Sequence, residues 1–198
     1  MKAEPSKKSS LPLAGNAQGL PRARSVLLLV DFINTLQFEG AENLAPGALL
    51  AARATVKLKR HLRAQGIPAL YANDNYGQWR SEFGELCAAC RKLPREAGQI
   101  ARLLAPGPAD LAILKPRHSA FLGTPLELLL AQMHTQRIIL VGLAADICVQ
   151  LTAMDAHLRG YRLWVPGDCT AAENPQDKRA SLDYMRRVLK ADIRSASR

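Results

Sequence analysis

Short runs of consecutive apolar residues alternate along this chain with longer stretches in which apolar and polar positions recur three and four residues apart. The first run, Ser25-Val26-Leu27-Leu28-Leu29-Val30, is apolar throughout its interior and closed by Asp31, the pattern of a strand buried on both faces. After a Pro46-Gly47 break, residues 49–65 place Leu49, Leu50, Val56, Leu58 and Leu62 among Arg and Lys at helical spacing, and Gly66 stops the pattern. Residues 68–73 read as a second strand. Helical stretches over 81–93 and 95–104 lead to the strand Leu111-Ala112-Ile113-Leu114. A helix over 125–133 leads to the strand Arg137-Ile138-Ile139-Leu140-Val141-Gly142. A helix over 148–159, a fifth strand over 161–165, a long helix over 176–190 and a short edge strand over 191–195 follow.

This alternation predicts an α/β fold: a three-layer, Rossmann-like parallel sheet of five or six strands flanked by helices. In such sheets ligands bind beyond the carboxyl ends of the strands. Three chemically capable residues fall there. Asp31 ends the first strand, Lys115 ends the third and Cys148 follows the fourth.

Composition adds a boundary and a compartment. Residues 1–24 mix Ser, Pro, Gly and basic residues without periodicity and read as a flexible arm, leaving 25–198 as one domain. The chain carries a formal net charge of +10, which raises nucleic acid as a partner. Its distribution argues against that: five cations against Glu4 lie on the arm, the rest are dispersed, and aromatic residues, at 5%, are too few for a base-stacking platform. The longest apolar run, Val26 to Val30, is far short of a membrane span. With no signal-peptide core after Lys7-Lys8, four cysteines read as reduced thiols, and the expected location is the cytoplasm.

The turn Gly142-Leu143-Ala144-Ala145-Asp146-Ile147 brings Cys148 to where a helix begins, so backbone N–H groups and the helix dipole face the sulfur and favour the thiolate. The same amides would receive an oxyanion if the sulfur attacked a carbonyl carbon. Lys115 would stabilise both anions, and Asp31 would serve as general base. The alternative readings are a buried structural thiol, a strand-end lysine and a turn-capping carboxylate. Cys87-Ala88-Ala89-Cys90 lies inside a helical pattern with no preceding strand, and reads as structural rather than redox or zinc-binding.

Three ordered segments, Val30-Asp31-Phe32-Ile33-Asn34, Lys115-Pro116-Arg117-His118-Ser119-Ala120-Phe121 and Gly142 to Val149, together resemble the isochorismatase-like cysteine hydrolases. The resemblance implies that hydrolase fold, a catalytic triad of Asp31, Lys115 and Cys148, and a cis peptide between Leu143 and Ala144. It also implies an oxyanion hole of the Ala144 and Cys148 N–H groups, and a homodimer or homotetramer. The expected reaction is hydrolysis of a small-molecule amide, carbamoyl or ureido C–N bond through a Cys148 thioester, without cofactor. The alternatives are vinyl-ether hydrolysis of the isochorismatase type, or a non-catalytic basic binding protein. Phe32, Asn34, Trp79, His118 and Phe121 are candidates to contact substrate, with packing as the alternative for each.

The chain departs from the family pattern in two places. Many relatives read Asp-x-Gln-Asn-Asp-Phe after the first strand, where this chain has Ile33, Thr35 and Leu36. Nicotinamidases place Asp-x-His after the second strand to hold a metal, and here Tyr76 follows Asn75 in the His position. His61, His134 and His157 fall away from the strand ends, so no catalytic metal is expected.

Overall fold

The computed structural model describes residues 19–80 and 82–197. The arm read over residues 1–24 lies outside them as far as residue 18, while Leu20 and Ala23 pack on the domain core. Five parallel strands lie in the order β3-β2-β1-β4-β5: β1 (Ser25–Val30), β2 (Ala69–Asp74), β3 (Leu111–Lys115), β4 (Arg137–Leu143) and β5 (Arg162–Trp164). A two-residue sixth strand, β6 (Thr170–Ala171), pairs with the end of β4. The helices are α1 (Ala41–Ala64), α2 (Phe83–Lys92), α3 (Arg95–Leu103), α4 (Leu126–Gln132), α5 (Gln150–Leu158) and α6 (Pro175–Arg187).

Strand β1 shows why the sheet has two cores. Its side chains alternate, so Val26, Leu28 and Val30 join the layer of α4, α5 and α6, while Leu27 and Leu29 join that of α1, α2 and α3. All five are fully buried, hence the unbroken apolar run. The chain builds outward from β1 to β3, then crosses back to add β4 on the other side of β1. That reversal makes the carboxyl ends of β1 and β4 a topological switch point, where loops diverge and leave a crevice. At this point Gly142 has φ 143°, and a β-carbon there would collide with the Val30 carbonyl. A side chain would therefore force apart the two strands that flank the crevice.

Several element boundaries differ from the sequence reading. Helix α1 starts at Ala41, after Gly40 in the left-handed conformation, and passes through Pro46 and Gly47 without breaking. Pro46 forgoes one hydrogen bond near the start of a helix held by buried Leu44, Ala45 and Ala48, and packing overrides the local signal. The predicted edge strand over 191–195 reduces to one parallel bridge between Trp164 and Asp192. The helix read from Cys148 begins earlier, as a π-helical turn over Ala145–Val149 that continues into α5.

Candidate active site

Strand ends deliver two of the candidate triad residues, Asp31 and Lys115, and the π-helical turn after β4 delivers the third, Cys148. Asp31 leaves β1 in the left-handed region, φ 51°, with its N–H still bonded to the Ala72 carbonyl of β2. This bend turns the carboxylate across the end of the sheet. There Asp31 Oδ1 accepts the Asp74 N–H at 2.8 Å, and Oδ2 lies 2.7 Å from Lys115 Nζ. Lys115, the last residue of β3, is 0% exposed and pairs in register with Asp74. Its ammonium also donates to the Arg117 carbonyl at 3.2 Å, stands 3.7 Å from Asp74 Oδ2 and lies 3.7 Å from Cys148 Sγ. A buried charge is tolerable only when paired and hydrogen-bonded, and both members of this pair are.

Cys148 is the fourth residue of the π-helical turn and 9% exposed. The peptide between Leu143 and Ala144 is cis, and the Ala144 carbonyl accepts the N–H groups of Ile147 and Val149. His118, on the loop after β3, sets Nδ1 3.6 Å from the sulfur. Asp31, Lys115, Cys148 and His118 thus meet in one place from three separated segments.

The electrostatics correct the expectation of a preformed thiolate. Burial pushes the Cys148 thiol up to about 12, and the Asp31 charge adds to this while Lys115 opposes it. Burial also raises the Asp31 carboxyl above the ordinary carboxylate value, against the opposing pull of Lys115, which makes it a stronger base. For Lys115 burial acts downward, but Asp31 together with Cys148 and Asp74 outweighs it and holds the ammonium charged. The resting state defined by these directions is a thiol beside a carboxylate and an ammonium. Alkylation of Cys148 by iodoacetamide is therefore expected to be slow at pH 7, well below the rate of a free cysteine of pKa about 8.5, and to accelerate steadily towards pH 12. Peptide-resolved mass spectrometry across pH checks this, and a rate plateau near pH 7 would contradict it.

The remaining candidates are placed as follows. Phe32 and Phe121 are buried in the two cores on either side of the sheet. Asn34 uses Oδ1 to accept the Leu36 N–H at 2.7 Å, shaping the turn after β1. Trp79 is 80% exposed. Asn73 orients the same loop as Asn34 by donating to the Ile33 carbonyl at 2.7 Å. Cys87 and Cys90 are free thiols buried within α2, and His61, His134 and His157 are exposed.

Tyr76 holds a place that sequence reasoning valued only as a missing histidine. Its N–H donates to Asp74 Oδ1 at 2.6 Å. The residue as a whole is 45% exposed, and the neighbouring carboxylates of Asp31 and Asp74 favour its neutral form. Tyr76 lines a cavity of about 330 Å³ beside the triad, with Thr35, Asp74, Asn75, Glu82 and Glu85 among its walls. Larger grooves of about 610 and 700 Å³ run along α1 and beside β5, and none of these three cavities is lined by Asp31, Lys115 or Cys148, so chemistry rather than volume marks the site.

A metal of the nicotinamidase kind does not fit these donors. Asp74 spends one oxygen on the Tyr76 N–H and turns the other toward Lys115, and a neutral phenol stands where an imidazole is needed. Among the described residues no group of three His, Cys, Asp or Glu side chains is arranged to hold a metal ion.

Fold and site together define a parallel-sheet hydrolase with its polar cluster at the strand ends. The chain belongs to the isochorismatase family: the model of the isochorismatase domain matches residues 25–196. It is 36% identical over 174 residues to an uncharacterized isochorismatase family protein, YaaI of Bacillus subtilis, covering 88% of this chain and 95% of that one. It is 28% identical over 152 residues to an N-carbamoylsarcosine amidase of Arthrobacter, covering 72% of this chain and 58% of that protein. Among solved structures, an N-carbamoylsarcosine amidase from Thermoplasma acidophilum superimposes with a TM-score of 0.69 at 27% identity, covering 88% of this chain and 98% of that one. No helix among the described residues is long and apolar enough to cross a membrane.

Proposed function

We propose that this chain is a metal-independent cysteine amidohydrolase that cleaves a small-molecule amide, carbamoyl or ureido C–N bond through a thioester on Cys148. The observation that carries the reading is the convergence of Asp31, Lys115 and Cys148 at the switch point, with Lys115 Nζ 2.7 Å from Asp31 Oδ2 and 3.7 Å from Cys148 Sγ. Amidases among the named relatives support the bond type.

In this reading Asp31 takes the Cys148 proton as the sulfur attacks the carbonyl carbon, since a thiol with pKa near 12 needs a base at the moment of attack. The S–C bond forms and the carbonyl electrons move to oxygen. The Ala144 and Cys148 N–H groups with the Lys115 ammonium stabilise that oxyanion. As it collapses the C–N bond breaks, and the proton on Asp31 passes to the departing nitrogen, releasing ammonia or an amine. Asp31 then takes a proton from water, whose oxygen attacks the thioester. The C–S bond breaks, the proton returns to sulfur and a carboxylic acid leaves. The assembly that accompanies this chemistry is a homodimer or homotetramer.

An ammonia-release screen of the purified chain against small carboxamides, carbamoyl amines and ureido acids tests the reading. At least one class is expected to turn over after exhaustive treatment with a chelator, with activity unchanged by added zinc or iron. Activity only with added metal would overturn metal independence.

A further inference from the structure

The cavity of about 330 Å³ beside the triad carries a charge opposite to that of the chain. The sequence as a whole is +10, yet Asp74, Glu82 and Glu85 line this cavity and no Lys or Arg does. Asp74 joins it to the chemistry, since its N–H bonds Asp31 and its Oδ2 stands 3.7 Å from Lys115. Glu82 and Glu85 form no ion pair among the described residues. They flank the start of α2, where carboxylates commonly serve as caps, but the Glu82 side chain makes no cap hydrogen bond. The positive end of a helix amounts to roughly half a charge, so two full carboxylates overcompensate it and the wall stays negative.

A second feature of the same wall points to a bound molecule. Asn75 is 6% exposed and lines the cavity. Its Oδ1 accepts the Gly77 N–H at 2.9 Å, while its Nδ2 has no partner among the described residues. The buried side-chain N and O atoms left unpartnered among those residues are Thr55 Oγ1, Asn73 Oδ1 and Asp146 Oδ1, so Asn75 Nδ2 is not sealed in but open at the cavity wall. A buried amide that keeps one donor free there is set to bond an acceptor on a ligand.

We propose, resting on the amidohydrolase reading, that this cavity is a subsite for a positively charged group, and that the substrate is a small amide bearing an ammonium or guanidinium a few bonds from its scissile carbonyl. Glu82 and Glu85 receive the cation, Asn75 Nδ2 donates to an oxygen of the substrate, and Leu86 and Leu114 cover a short apolar stem. Leu114 directly precedes Lys115, so the amide end of such a molecule lies toward the strand edge that carries the triad. An anionic substrate meets the reverse situation. Lys115 is already paired with Asp31 at 2.7 Å, and no cation in the cavity wall offsets the three carboxylates.

Two measurements on the full chain test this. The first is kcat/KM for 5-aminopentanamide, its neutral isostere hexanamide and the anionic glutaramate. The cationic amide is expected to be preferred over hexanamide by about tenfold or more, with glutaramate poorest. In Glu82→Gln/Glu85→Gln the preference is expected to shrink to about twofold, mainly through KM, while Asp177→Asn on α6 keeps it and so separates local from net charge. The second is the rate of Cys148 labelling by trimethylammonioethyl and sulfonatoethyl methanethiosulfonates, read by peptide mass spectrometry. The ratio of cationic to anionic rates is expected to exceed that of a small free thiol several-fold and to fall in the double variant. Preference for hexanamide or glutaramate, or a cation preference unchanged in the double variant, would overturn the proposal. If none of the three amides is hydrolysed, the labelling ratio decides, and a ratio equal to that of the free thiol or unmoved by the double variant would overturn it. Undiminished turnover in Cys148→Ala would instead remove the thioester reading and leave the charge preference standing, so the two fail separately.

Discussion

Cys148→Ala is expected to lose turnover of any amide the chain hydrolyses by about 10⁴-fold or more, because the group that forms the covalent bond is gone and Asp31 has no proton to take. The protein should otherwise stay intact. The substitution removes a single sulfur from a position next to solvent, and the Asp31–Lys115 pair at 2.7 Å does not depend on it. Comparing kcat/KM with the melting temperature separates the two effects, since a structural thiol would shift melting and leave turnover in the folded fraction untouched.

Lys115→Met is expected to be the most destabilising single change at the site. It leaves the Asp31 carboxylate buried without the cation 2.7 Å away, and breaking one half of a buried ion pair costs about 3–5 kcal/mol. The cost depends on pH with a definite sign. Asp31 is already raised by burial, and removing the cation that opposes this raises it further. A group whose pKa is raised on folding favours the fold below its unfolded pKa, and that contribution is lost as pH rises through the folded pKa. The deficit of Lys115→Met should therefore be small near pH 4, where Asp31 binds a proton, and grow towards pH 8. Urea unfolding at several pH values reads this directly. The double variant Asp31→Asn/Lys115→Met is expected to recover most of the loss, since it leaves no buried charge. Losses that simply add would show that the two residues act independently.

The sheet was legible because burial on both faces writes unbroken apolar runs, as in Val26 to Val30 and Ile138 to Val141. The meeting of the candidate triad at one sheet edge was legible for a related reason. A charged residue that closes such a run, like Asp31 or Lys115, sits at the edge where the strand meets the crevice. What stayed hidden depends on contacts between distant segments. Pro46 signals a helix end by local rules, yet the buried residues around it hold α1 continuous. β6 is too short for any period to register, and only its pairing with β4 defines it. Phe32 and Phe121 follow motif residues directly and look available to substrate, but each turns into a core cluster. His118 reaches Cys148 only because its loop is clamped to α5 through Thr152 and Asp155.

The thiol illustrates the same limit in electrostatic form. A helix start and a nearby lysine are visible in the chain and point to a thiolate. The extent of burial and the position of the Asp31 carboxylate are not visible, and they reverse the direction. In the proposed mechanism the reversal puts more weight on Asp31, already read as the general base, to take the thiol proton at the moment of attack. It also makes Asp31 the group whose ionisation sets the acid limb of the pH profile.

Intact-protein mass spectrometry of enzyme quenched in acid during steady turnover tests the covalent route most directly. The predicted spectrum contains a second species heavier than the free chain by the acyl group of the substrate, and peptide mapping places that increment on Cys148. Full turnover with no adduct at any quench time, together with undiminished activity in Cys148→Ala, would contradict it.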